Sequence, residues 1–309
     1  MVRWTPMSDG SRQINEAWLT CAAHMAAAGK SAIQPLYGTS AGRQGLGRGA
    51  GGDETLQIDL ACERAILDVL RAEAPAPYLL VSEEAGIVPQ AGKSAEECRW
   101  RVVVDPVDGS LNAKRGLETF GASIAIAHGA TLADVTAGYI EDYTRPRAFA
   151  AVKGGGLVQA TAAGSWEPVE LDQSRFRNDL VEIVLLEAGR PDRHHFEYHD
   201  LSSMGAVGRS RDLRIRQLGS LALSLCYVAT GVADMLVAAV RSRSVDIAAG
   251  LLILAEAGGG AAALIDDELL AQKLDLEKRC GFVAWRAGLD AEEIAARGRQ
   301  LGYTIMFGH

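Results

Sequence analysis

Asp105 and Asp108 stand three residues apart in the run Arg101-Val-Val-Val-Asp105-Pro-Val-Asp108-Gly109-Ser110. The apolar residues Val102 to Val104 predict a short buried strand, and Pro106 and Gly109 predict a turn at its end. Two carboxylates crowded into one turn, with no cationic run beside them in the sequence, need water or a divalent cation to offset their repulsion. Proline fixes one backbone dihedral there, and glycine lets the amides that follow turn toward a ligand. The chemistry such a turn can support is a metal ion seated beside a phosphate group. Asp-Pro and Asp-Gly are also ordinary turn formers, and most such turns taken alone do nothing chemical.

Other acids fall in similar settings. Leu79-Leu80-Val81 is a second short apolar run, and it ends on Glu83 and Glu84. Asp246 heads an apolar helical stretch that runs to Glu256 and Gly258-Gly259-Gly260. Asp59 sits at or just before the start of an amphipathic helix, Leu60 to Ala72. Helix capping would account for Asp59 by itself, and spacing alone weighs that role equally with catalysis.

The elements that must position these acids follow from periodicity. Ser11 to Gly29 carries Ile14, Trp18, Cys21, Ala22 and Met25 at helical spacing and predicts a core-packing helix ended by Gly29. Tyr37 to Asp53 is rich in glycine but lacks the Walker lysine and serine arrangement, so it reads as a flexible loop. Gly121 to Ala127, Asp134 to Glu141 and Arg147 to Val152 predict an antiparallel sheet, and Gly154-Gly155-Gly156 a tight hairpin. A first lobe of residues 1–170 then gives way, through the charged stretch 172–179, to a second lobe of residues 171–309. In that lobe Val181 to Leu186, Ile215 to Leu218, Asp234 to Ala239, Ala261 to Ile265 and Gly281 to Trp285 read as strands. Leu221 to Thr230, the stretch from Asp246 and Asp290 to Gln300 read as its helices. His195 and His199 lie one helical turn from each other, with His194 beside them, but no third ligand is evident and a solvated helix is the simpler reading.

With 309 residues, 48% hydrophobic and 23% charged, the chain can bury a large core in two lobes. A net charge of -8 and a pI near 5.3 disfavour nucleic acid and anionic membrane as partners. Five scattered cysteines with no Cys-x-x-Cys pair read as reduced core residues of a cytoplasmic protein. No stretch is uniformly apolar enough to predict a membrane span.

The order of these motifs is more specific than any one of them. An acid pair after a strand, Asp-Pro-Val-Asp-Gly-Ser after a strand, and Val-Asp-Ile-Ala-Ala-Gly opening a helix together resemble the inositol monophosphatase superfamily of magnesium-dependent, lithium-sensitive phosphatases. The resemblance covers roughly Thr55 to Gly260. It implies a two-lobed, layered α-β-α-β-α sandwich combining α+β and α/β parts, and a homodimer acting on a small phosphorylated metabolite. It also implies two or three Mg2+ ions, with Mn2+ as a possible substitute. Residue by residue, Glu83, Asp105 and the carbonyl of Val107 would hold one ion, and Asp105, Asp108 and Asp246 a second. Ser110 and Asp59 would hold and activate the attacking water, with Glu83 as a further catalytic acid and Glu84 standing behind the ligands. Amides of Asp108, Gly109 and Ser110, together with Gly219 and Ser220, would contact phosphate or substrate, and the loop around residues 37–53 would lie near the metals.

Departures from the family pattern bear on substrate. Ala113 replaces a frequent aromatic, Val245 a usual tryptophan, and Ala239-Val240-Arg241-Ser242-Arg243 lacks the glutamate with which animal-type enzymes grip inositol. Ser82-Glu83-Glu84, Asp108-Gly109-Ser110 and Val245-Asp246-Ile247 look more like the archaeal-type enzymes that hydrolyse both inositol monophosphate and fructose 1,6-bisphosphate. A second phosphate would need a cation, and Arg190, Arg193, Arg214, Arg241 and Arg243 are candidates, surface solubility being the ordinary role of each. The rival readings are a 3'(2'),5'-bisphosphate nucleotidase, a histidinol phosphatase and a non-catalytic regulatory member of the fold.

Overall fold

Apolar residues along the chain alternate between two sheets and the helices that cover them. The structure, a computed structural model, describes residues 9–50, 54–160, 165–169, 171, 181–187, 213–239, 242–264, 268–277 and 281–298. Helix α1 (Asp9–Ile33) buries Trp18, Cys21, Ala22, Met25 and Ala26 on one face. It runs through Gly29 instead of ending there. A Cβ at Gly29 would lie 2.5 Å from Tyr143 Oη and 2.8 Å from Cys62 Sγ, so this glycine serves close packing and not helix termination. Within the glycine-rich segment, β1 (Gly45–Arg48) pairs antiparallel with β2 (Glu54–Leu56), a short ribbon where a loop was expected. Helix α2 (Gln57–Glu73) starts three residues before Leu60 and packs along α1.

The next strands build the larger sheet: β3 (Tyr78–Ser82), β4 (Gly86–Pro89) and β5 (Trp100–Asp108), followed by the short helix α3 (Ser110–Arg115). After these come β6 (Gly121–Ala127), β7 (Val135–Asp142), β8 (Arg147–Val152), β9 (Leu157–Ala160) and β10 (Trp166–Pro168). The sheet order is β10-β9-β8-β7-β6-β5-β3-β4, antiparallel except for the parallel pair β3 and β5. Side chains alternate across it. Val102, Val104, Ile124 and Ile126 pack with α1 and α2, whereas Val103, Ala125 and Ala127 face the opposite layer.

That opposite layer is a helix pair. The smaller sheet begins with β11 (Ile183–Glu187) and β12 (Arg214–Arg216), followed by helix α4 (Leu221–Ala229), β13 (Met235–Ala238) and helix α5 (Ser244–Glu256). It closes with β14 (Gly260–Ala263), β15 (Phe282–Trp285) and helix α6 over residues 291–298. Its order is β12-β11-β13-β15-β14. Leu185, Leu236, Phe282 and Ala284 face α4 and α5, while Val184, Val237 and Val283 pack with Leu289 and Ile294 on the α6 side. The layers are therefore α1 and α2, the large sheet, α4 and α5, the small sheet, and α6: a mixed α+β and α/β sandwich.

Helix α5 lies directly on the large sheet. A Cβ at Gly138 on β7 would come within 2.9 Å of Ala249 O, so only glycine admits this approach. At the helix's end, the Glu256 carboxylate accepts the N–H groups of Gly154 and Gly156 at 2.7 and 2.8 Å, which ties the glycine hairpin to α5. Among the described residues no helix is long and apolar enough to cross a membrane.

Candidate active site

The parallel pairing of β3 with β5 places two acids side by side. Ser82 pairs with Val104, and the Glu83 N–H donates to Val104 O at 3.3 Å, so Glu83 and Asp105 emerge together at the carboxyl ends of neighbouring strands. Beyond Asp105 the β5–β6 register shifts: Asp105 opposes Ser123 and Asp108 opposes Gly121, three residues against two. In an unbroken strand, side chains three apart point to opposite faces. The extra residue of this bulge brings Asp108 back to the same side. Asp246, in the first turn of α5, completes the group, and carboxylate oxygens of Glu83, Asp105 and Asp246 all lie within 4.8 Å of one another.

Burial and mutual repulsion govern these acids. Asp105 is 3% exposed, and desolvation, followed by the charges of Glu83, Asp108 and Asp246, pushes its pKa well above the usual carboxylate range. Desolvation raises Glu83 to about 8 even though the nearby Arg243 charge pulls it down. The Arg243 guanidinium contacts both flanks, with Nη1 2.6 Å from Glu83 Oε1 and Nη2 3.2 Å from Asp246 Oδ1. The Arg243 backbone N–H also donates to Asp246 Oδ2 at 2.9 Å, so Asp246 closes the first turn of its helix.

Asp108 points toward the second sheet's helices. Its carboxylate accepts the Ser220 hydroxyl, the Ala222 N–H at 2.8 Å and the Leu221 N–H at 3.3 Å at the start of α4. Desolvation lifts it to about 7, opposed by the Ser220 hydrogen bond. The adjoining backbone is tight. Gly109 has φ of 93°, and a Cβ there would stand 3.1 Å from Gly219 O and from Phe120 Cβ. Asn112 Nδ2 donates to Thr119 O at 2.8 Å and to Leu218 O at 2.7 Å, stitching the α3 turn to the segment that carries Gly219 and Ser220.

Asp59 is the third residue of α2, one turn further in than an N-cap. Its Oδ2 accepts the Leu56 N–H at 2.9 Å, while its buried Oδ1 has no hydrogen-bond partner. Ser110 lies close enough to ease the Asp59 charge, but its hydroxyl donates to Val107 O at 2.9 Å. Desolvation dominates and holds Asp59 near pKa 7. The Val107 N–H in turn donates to Asp105 Oδ1 at 3.0 Å. Glu84 lies outside the group of three acids, and its charge raises the pKa values of Asp59, Glu63 and Glu83.

Two supporting acids were not singled out from sequence. Glu63, one turn after Asp59 on α2, accepts the Ser82 hydroxyl and the Ala85 N–H and so fixes the turn that carries Glu83 and Glu84. Glu187, at the end of β11, accepts the N–H groups of Leu218 and Gly219 at 3.2 and 3.0 Å and the Ser224 hydroxyl at 3.1 Å. The available signals were an acid four residues after Asp59 on one helix face and an acid closing an apolar strand. Arg241, Arg190, Arg193, His194, His195 and His199 lie outside the described residues, as does the 172–179 stretch. Arg214 is exposed, with Nη1 donating to Leu213 O.

A pH dependence follows from these buried acids. In the metal-free protein Asp59, Glu83 and Asp108 keep protons to about pH 7 or 8, whereas ordinary values of 3.8 and 4.5 apply once the chain unfolds. The unfolded state binds fewer protons between those limits, so stability falls as pH rises from about 4 to about 8. Thermal melting in EDTA should show this decline, and a divalent cation should reverse it at the alkaline end. A metal-free profile that is flat or rises with pH would contradict the assignment.

The fold recurs in solved structures. An inositol monophosphatase–fructose 1,6-bisphosphatase, the MJ0109 gene product, superposes with a TM-score of 0.71, covering 91% of this chain and 99% of that one at 22% identity. The Thermotoga maritima IMPase TM1415 gives 0.68, covering 92% and 97% at 24% identity. The layered architecture is that of the inositol monophosphatase and fructose bisphosphatase fold. The profile of the Inositol monophosphatase family matches residues 14–299, and the chain belongs to that family. Among its relatives, the fructose-1,6-bisphosphatase/inositol-1-monophosphatase of Methanothermobacter thermautotrophicus is 33% identical over 250 residues, 78% of this chain and 82% of that protein. The inositol-1-monophosphatase of Aeropyrum pernix is 31% identical over 224 residues, 69% and 73% of the two chains. The Nus factor SuhB of Pasteurella multocida is 34% identical over 216 residues, 67% and 70%.

Proposed function

We propose that this phosphatase hydrolyses inositol monophosphate and fructose 1,6-bisphosphate with the help of Mg2+. The observation that carries the reading is the convergence of Glu83, Asp105 and Asp246, drawn from two strand ends and a helix start, with oxygens within 4.8 Å. The donor set suits a hard cation, being all oxygen, buried and mutually repulsive without one. Glu83, Asp105 and the Val107 carbonyl would hold one ion, and Asp105, Asp108 and Asp246 a second, with Mn2+ an acceptable substitute. When bound, such ions supply charge neutralisation for phosphoryl oxygens and acidify water.

The chain's own groups do the rest. Asp59 Oδ1, buried and without a partner, is placed to take a proton in the neighbourhood of Ser110, and a pKa near 7 suits a base working near neutrality. Ser110 Oγ orients the attacking water. Gly109 at positive φ, with Gly219 against it and the Ser220 hydroxyl on Asp108, frames the place where phosphate oxygens meet backbone N–H groups. Glu63 and Glu187 hold the two turns in register. The lobes 1–170 and 171–309, a homodimer and a cytoplasmic setting belong to the same reading, as does Arg241 as a second-phosphate contact. The relatives' names favour these two substrates over adenosine bisphosphate or histidinol phosphate.

Phosphate release should be measured on inositol 1-phosphate, fructose 1,6-bisphosphate, adenosine 3',5'-bisphosphate and histidinol phosphate, with Mg2+ and with EDTA. The first two are expected to be cleaved, and only with the metal. Clearance of inositol 1-phosphate with fructose 1,6-bisphosphate untouched removes the bisphosphatase part, and undiminished release in EDTA removes the metal.

A further inference from the structure

Arg243 enters the carboxylate cluster from the residue three before Asp246 and is 8% exposed. Its fork spans two of the three acids, 2.6 Å to Glu83 Oε1 and 3.2 Å to Asp246 Oδ1, and its charge also bears on Asp105. A planar guanidinium is suited to bridging two carboxylates in this way. The oxygens it occupies belong to two acids that would hold divalent cations. A monovalent cation on those oxygens and a divalent ion among the same acids repel each other at close range, in surroundings poorly screened by water.

We propose that Arg243 is a built-in counter-ion: it neutralises the cluster in the resting protein and gives up Glu83 and Asp246 when a divalent cation arrives, which sets how tightly metal is held. The inference rests on the metal-site reading above. Because metal binds only when the guanidinium withdraws, measured affinity is the intrinsic affinity reduced by the fraction of molecules in the withdrawn state. The anchoring of Arg243 does not depend on its side chain alone, since its backbone N–H donates to Asp246 Oδ2 at 2.9 Å. The guanidinium can therefore be replaced while the start of α5 stays closed.

The test is titration of Mn2+ alone into EDTA-stripped, dialysed full-length protein by calorimetry, with thermal melting of the same samples. R243Q is expected to bind Mn2+ on the order of ten-fold more tightly than wild type, as for a competent fraction near one tenth. It should also melt lower than wild type without metal and gain more from adding it. R243K, which keeps the charge but loses the fork, should fall between the two, and it carries the comparison if R243Q does not fold without metal. Wild-type protein that binds Mn2+ as tightly as both variants, or more tightly, overturns the exchange and leaves the metal site standing. If none of the three proteins takes up Mn2+, the metal site falls and the inference with it.

Discussion

Asp105→Asn is expected to lower phosphate release at least about a thousand-fold, equivalent to ~4 kcal/mol of lost transition-state stabilisation, and to raise the melting temperature of the metal-free protein at alkaline pH. The two effects have one cause. Asp105 is buried, and desolvation with the neighbouring Glu83, Asp108 and Asp246 opposes its ionisation, a penalty that is felt at alkaline pH and that a bound cation offsets. Removing the charge relieves the metal-free fold while taking away the ligand assigned to both ions. Activity lost with stability gained separates this outcome from simple misfolding. Glu84→Gln gives the contrast: Glu84 lies outside the group of three, so its loss should weaken metal binding and leave turnover at saturating magnesium largely intact. Equal losses in the two variants would remove the ranking of the acids.

Asp59→Asn should reduce kcat by roughly a hundred- to ten-thousand-fold while leaving the metal-free fold at least as stable as wild type. An asparagine oxygen can still accept the Leu56 N–H, which keeps the first turn of α2 closed, but it cannot take a proton at the position of the unpartnered Oδ1. Asp59→Ala removes both functions and should add about 1 kcal/mol of destabilisation. If Asp59→Asn retains full turnover while Asp59→Ala melts early, Asp59 is a helix-closing residue and nothing more.

The acids of the site were legible because each sits in a local signature: an apolar run that stops on Glu83, a proline and glycine turn around Asp105 and Asp108, and an apolar helix headed by Asp246. Sequence spacing alone could not bring them together. That takes the parallel pairing of β3 with β5 and the bulge after Asp105, whose register no single run of sequence displays. For the same reason the Asp105 and Asp108 turn reads as free of a cationic partner in the sequence. Arg243 is more than a hundred residues from Asp105, and only the packing of α5 onto the large sheet brings its guanidinium to Glu83. Gly29 shows a local rule overridden by a tertiary one, since a glycine that ordinarily ends a helix instead makes room for Tyr143 and Cys62. Glu63 and Glu187 went unnoticed because their partners are backbone N–H groups and hydroxyls, which no side-chain pattern advertises.

The most direct test is anomalous scattering from Mn2+ in crystals of the wild-type protein grown or soaked with that ion. One or two manganese peaks are expected, each within about 2.5 Å of an Asp105 oxygen and between them touching Glu83 and Asp246. Manganese bound elsewhere, with those three acids free of it at saturating concentration, would contradict the account.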